Sequence, residues 1–163
     1  MRRAAFALAL LALTGCGLRP VYGGGGSGAV AATLSSVAVG PIEGQAGWLV
    51  RNKLIDRLGG DGSAAYRLDV TLDDNITSFG LRSDRAATQE RRTLRARYQL
   101  VDVRTGMVVL DSTAGSDMGI DIVSSEYATV AAEQTALEDL ADIVADQITA
   151  RLALYASRTA RAK

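Results

Sequence analysis

At 163 residues the chain has the length of one domain, and 48% apolar with 22% charged residues is the balance of a protein that folds around a core. Its 18 basic and 18 acidic residues cancel, so no global field draws it to nucleic acid or to an anionic surface, and any polyanion site must be a local patch. The chain has no His, the commonest general base and metal ligand, and its single Cys excludes an intrachain disulfide or a CxxC centre. Enzymatic readings therefore start at a disadvantage, and no metal or cofactor is expected.

Met1, Arg2 and Arg3 precede an apolar run from Ala4 to Leu13, about the length of a signal-peptide core and too short to span a bilayer as a helix. The run ends in Leu13-Thr14-Gly15-Cys16, which resembles a bacterial lipobox. That resemblance implies removal of residues 1–15, a diacylglyceryl thioether on Cys16 and an acyl chain on its new amino group. Three acyl chains make anchoring effectively permanent, so Cys16 is expected to be a mooring. Gly17 rather than Asp at the next position implies export to the outer membrane. Cleavage also removes Arg2 and Arg3, leaving 16 basic residues against 18 acidic.

Residues 16–33 contain Gly23-Gly24-Gly25-Gly26-Ser27-Gly28 and read as a flexible tether to one domain over 34–156. Leu34, Val37 and Val39 form a short β-run ended by Pro41. Gly47 to Leu58 sets Val50, Leu54, Ile55 and Leu58 on one helical face, and Gly59-Gly60 supplies a stop. Tyr66, Leu68, Val70 and Leu72 then alternate with Arg67, Asp69, Thr71 and Asp73, a strand with one wet face. A polar stretch, Ser78 to Arg92, leads to a second alternation, Leu94, Ala96, Tyr98 and Leu100. Arg104-Thr105-Gly106 turns this into a further strand from Met107 to Asp111. Ser112 to Ser125 is polar, and from Glu126 to Ala156 apolar residues recur at steps of three and four without Gly or Pro, predicting a long helix. The basic end, 157–163, is expected to fray. The order β-α-β-β-β-α predicts an α+β fold, a small mixed four-stranded sheet with two helices on one face.

The opening Cys16-Gly17-Leu18-Arg19-Pro20-Val21-Tyr22-Gly23, the run Val50-Arg51-Asn52-Lys53-Leu54 and the long helix after Glu126-Tyr127 together resemble the LPS-assembly lipoprotein family, LptE. The resemblance implies an α+β sandwich seated inside an outer-membrane β-barrel partner, LptD, as plug and assembly partner. It also implies binding of lipopolysaccharide on its way to the outer leaflet. The other reading of an anchored α+β domain is an auxiliary periplasmic lipoprotein of an ABC-type lipid transporter.

Lipid A carries phosphates, which guanidinium groups match bidentately, so the arginines of the polar stretch are the ligand candidates. Arg82, in Leu81-Arg82-Ser83-Asp84, takes the position where the family places a basic residue, and Arg85, Arg91 and Arg92 follow. Ile122 to Glu126 holds no counterpart of a second basic residue that the family can carry near the last helix. Arg95 and Arg97 share the wet face of their strand, where they either meet barrel carboxylates or pair with Asp69, Thr71 and Asp73. Asp73-Asp74-Asn75 lacks the remaining ligands of a calcium loop. Ser35, Ser36, Ser124 and Ser125 have no His to activate them. Trp48, alone at the start of its helix, is expected in the core, with a partner surface as the alternative.

Overall fold

The computed structural model describes residues 28–59, 64–81 and 87–161. Cys16, the signal-like segment and the glycine run lie outside these. In chain order the elements are α1 (Ala29–Ser35), β1 (Val37–Val39), α2 (Gly44–Leu58), β2 (Tyr66–Leu81), β3 (Ala87–Asp102), β4 (Val108–Asp121) and α3 (Glu126–Arg161). The strands form one open sheet in the order β1-β2-β3-β4. β1 is parallel to β2, and the rest run as an antiparallel meander. The predicted α+β class and four-stranded mixed sheet are what the chain adopts.

One face of the sheet is apolar because strand side chains alternate. Leu68, Val70 and Leu72 sit opposite Leu100, Tyr98 and Ala96, and Ala96 in turn sits opposite Ala114. Against this face α3 turns Leu137, Leu140, Ala141, Val144, Ile148 and Leu152, all buried, while α2 contributes Val50, Leu54 and Leu58. Tyr66 and Tyr155 close one end edge to face, with ring centroids 6.2 Å apart. Full burial of each large aliphatic contributes about 1.5–3 kcal/mol, which makes this seam the main source of stability.

The two longer helices are also clipped by charge. Asp142 of α3 accepts from Lys53 at 2.6 Å and from Arg57 at 2.9 Å, and Arg57 reaches Asp146 at 2.7 Å. α2 enters closely behind Pro41, since a Cβ on Gly47 would lie 2.6 Å from the Ile42 carbonyl oxygen. At the β3–β4 turn, Asp102 accepts from the N–H groups of Arg104 and Thr105, both at 2.9 Å, and Gly106 takes φ +70°, a conformation that costs a glycine little.

The observed elements run longer than the periodicity predicts. α1 occupies residues read as tether and also Leu34, read as the start of the first strand, because its alanine-rich sequence favours helix and Leu34 is buried in the core from it. β2 continues to Leu81, and β3 starts at Ala87, inside the stretch read as a polar connection. Residues 73–80 are exposed, so alternation no longer marks a buried face, and ladder bonds with polar cross-strand pairs hold the arm. Ser78 donates to Glu90 at 3.1 Å, and Gln89 donates to Asp121 at 3.0 Å. β4 likewise extends to Asp121. α3 continues to Arg161 where fraying is expected, with Arg158 and Arg161 in the last turn complementing the helix dipole.

Candidate functional site: the end of the β2–β3 arm

Of the candidate arginines, Arg82 and Arg85 lie outside the described residues, as does Cys16. Arg91 and Arg92 are neighbours on β3 and therefore point to opposite faces of the arm. Arg92 lies on the helix side, and its fork is fully engaged. Nε and one terminal nitrogen bond the two oxygens of Asp74 at 2.9 and 2.6 Å, while the other terminal nitrogen donates to the Glu133 carbonyl at 2.9 Å. Its side chain is 12% exposed. The bond to Asp74 raises the guanidinium above its already high pKa, so it stays charged in place. This arginine ties the arm to the first turns of α3 and presents no free edge to an outside anion.

Arg91 is placed differently. It lies on the open face, 58% exposed, with Nε 3.5 Å from an Asp117 oxygen, and its guanidinium sits 5.5 Å from the ring centroid of Phe79. A loose ion pair and a stacking ring orient the cation without exhausting its donors. The structure thus separates the two described candidates, one available and one committed.

Around Arg91 lie residues that sequence reasoning missed. Phe79 shares its face; at the same end of the molecule, Ile76 on the helix side of β2, Val123 just before α3, and Tyr127 and Val130 in its first turns are further exposed large apolar side chains, Tyr127 at 85%. Glu90 keeps one carboxylate oxygen buried without a hydrogen-bond partner among the described residues. An end that combines a cation, an aromatic ring and exposed aliphatic side chains fits an amphiphile with an anionic head and apolar chains. Ile76 and Phe79 were hidden because single apolar residues in a polar stretch make no period.

Elsewhere on the wet sheet face the cations are mostly matched. Arg97 bonds Asp111 of β4 at 3.0 Å rather than the β2 carboxylates expected for it, and Gln99 donates to the same carboxylate at 2.8 Å. These bonds, that of Arg97 first, hold Asp111 below the usual carboxylate range. Arg67 pairs with Asp69 along its own strand. Arg95 has no ion pair within 4.0 Å among the described residues, although Asp73 is its register partner. Asp74, part of the acidic run Asp73-Asp74-Asn75, is taken by Arg92. Trp48 is not a core residue. It stands 64% exposed on α2, because the buried stripe of that helix runs through Ala46, Gly47, Val50, Leu54 and Leu58.

No described helix is long and apolar enough to cross a membrane. The chain superposes on a candidate lipoprotein from Caulobacter crescentus CB15 with TM-score 0.64 and 28% identity, covering 78% of this chain and 96% of that one. The rare lipoprotein B from Shewanella oneidensis shares the fold at TM-score 0.58 and 12% identity, with 76% and 96% of the chains covered. A minor lipoprotein from Acinetobacter baumannii does so at 0.53 and 12%, with 73% and 90% covered. A comparison with curated proteins finds no match. The family model described as LptE, Lipopolysaccharide-assembly, matches residues 34–152, which take in every described strand and α2. The chain belongs to the LptE family of lipopolysaccharide-assembly lipoproteins.

Proposed function

We propose that this protein is an outer-membrane lipoprotein, held by acyl chains on Cys16, that works with an LptD-type β-barrel to place lipopolysaccharide in the outer leaflet. In this role it is the barrel's plug and assembly partner, and the end of the β2–β3 arm is where it meets the lipid. Family membership over residues 34–152 is the observation that carries the reading. The geometry supports it in two ways. The polar sheet face, with its mostly matched charges, is compatible with a hydrated lumen. The arm end offers Arg91 beside Phe79, and Arg82 and Arg85 belong to the same connection by sequence. No bond chemistry is involved; the work is packing and charge complementarity, with guanidinium groups taking phosphate.

Depletion tests the role, because loss of an assembly factor lowers surface lipopolysaccharide and unchanged levels would reject it. For the site, Arg82→Glu combined with Arg85→Glu and Arg91→Glu is expected to weaken lipopolysaccharide binding while barrel association persists. Binding equal to that of the unaltered protein would overturn the arm-end assignment.

A further inference from the structure

The sheet has two long edges, and the chain treats them differently. On β4 the N–H and C=O of Gly115 point away from β3, and the Gln147 amide of α3 engages both. Its oxygen accepts from the N–H at 3.0 Å, and its nitrogen donates to the carbonyl at 3.3 Å. A strand adding across Gly115 would have to displace that side chain. The β2 edge has no such guard. β1 covers it only from Tyr66 to Leu68, and the last bond runs from the Gly40 N–H to the Leu68 carbonyl at 2.9 Å, just before Pro41 removes the next donor.

That bond fixes the parity of the rest of β2. Its even-numbered residues direct their backbone away from β3, so Val70, Leu72, Asp74, Ile76 and Ser78 present a row of donors and acceptors. Among the described residues, none of these groups has a partner on that side. The stretch carries no Pro, Lys or bulge, and its inward-facing charge, Asp74, is neutralised by Arg92, so these devices do not blunt the edge. It is also flanked by a groove on each side. The polar-side groove, about 400 Å³, is lined by Asp69, Arg97 and Gln99, and the helix-side groove, about 370 Å³, by Ile42, Glu43 and Leu72, with Pro41, Val70 and Thr71 bordering both.

An open backbone row with one groove per face is the geometry of strand addition, in which the main chain supplies affinity and alternate side chains supply specificity. We propose that the β2 edge from Val70 to Ser78 receives an extended segment of a partner polypeptide in line with β1. Its apolar side chains turn to Ile42 and Leu72, beside Glu43, and its polar ones turn to Asp69, Arg97 and Gln99. A second copy of this chain is a poor occupant, because pairing two β2 edges brings Asp73, which has no ion pair among the described residues, toward its own copy. The row shares Ile76 with the arm end, but its test is read on a partner polypeptide and on backbone amides, so it does not depend on lipopolysaccharide.

Residue-resolved hydrogen exchange on the full chain, alone and in its detergent-extracted membrane assembly, reads the edge directly. The amides of Val70, Leu72, Asp74 and Ile76 should exchange on the order of 100-fold more slowly in the assembly, while that of Gly115 is unchanged. A photo-reactive phenylalanine at Asp73 should capture, in the same assembly, an alternating apolar and polar peptide of another polypeptide. Ile76→Pro, which removes an edge donor that β3 does not use, should lower retention of the partner roughly tenfold with little change in Tm. Equal exchange in both states overturns the proposal, as does capture of lipid or of this chain's own residues. Protection that grows with the concentration of the isolated chain would assign the edge to a second copy, which also overturns it.

Discussion

Replacing Arg92 with Ala removes both bonds to Asp74 and the bond to the Glu133 carbonyl, leaving a carboxylate that is only 25% exposed without its cation. Exposed pairs are worth about 0–1 kcal/mol, and breaking a buried one costs about 3–5 kcal/mol. With Arg92 at 12% and Asp74 at 25% exposure, the expected cost is about 2 kcal/mol, intermediate between those limits. For a domain of this size that is a fall in Tm of roughly 7 °C. Arg91→Ala, one position away, loses a 3.5 Å pair with both partners more than half exposed and one ring contact, at most about 1 kcal/mol. Thermal denaturation followed by circular dichroism compares the two, and Asp74→Asn with the double variant isolates the pair. Lipopolysaccharide binding should rank them in the opposite order, with Arg91→Ala the weaker binder. Equal Tm losses, or a binding defect confined to Arg92→Ala, would refute the division of the arm into a structural and a ligand-facing arginine.

Gly47→Ala should lower Tm by several degrees although alanine favours helix, because the new methyl meets the Ile42 carbonyl at 2.6 Å; a rise in Tm would show that α2 moves away freely. The bond from Lys53, then that from Arg57, holds Asp142 below the usual carboxylate range. A depressed carboxylate stabilises the fold above its unfolded pKa, and that stability is lost as pH falls through the folded value, below about pH 4. Asp142→Asn should therefore cost under about 1 kcal/mol at neutral pH, given its half-exposed side chain, and flatten the fall of Tm between about pH 5 and 2. Cys16→Ala should release the protein from the membrane fraction; retention would mean that capture by a partner, not lipid, holds it there.

The fold class was legible because burial writes periodicity. The seam Leu137, Leu140, Val144, Ile148 and Leu152 repeats at helical spacing, and Leu68 to Leu72 alternates where α2 and α3 cover the sheet. Legibility ended where cover ended. From Asp74 to Leu81 and from Ala87 to Arg92 the strands persist through backbone pairing and cross-strand polar contacts, which impose no apolar pattern, so the arm read as a connection. α1 was hidden by its adjacency to the glycine run, and Trp48 by the rarity of exposed tryptophan. The arginines were visible as a cluster. Which of them is free was not, since that depends on Asp74 and Glu133 arriving from elsewhere in the chain.

A working partnership between this lipoprotein and an outer-membrane barrel is central to the proposed role. Affinity purification of the full-length, membrane-extracted protein in mild detergent tests it most directly. Stoichiometric recovery of a β-barrel of the LptD type is the predicted result, and recovery of an ABC-type transporter complex without a barrel would contradict it.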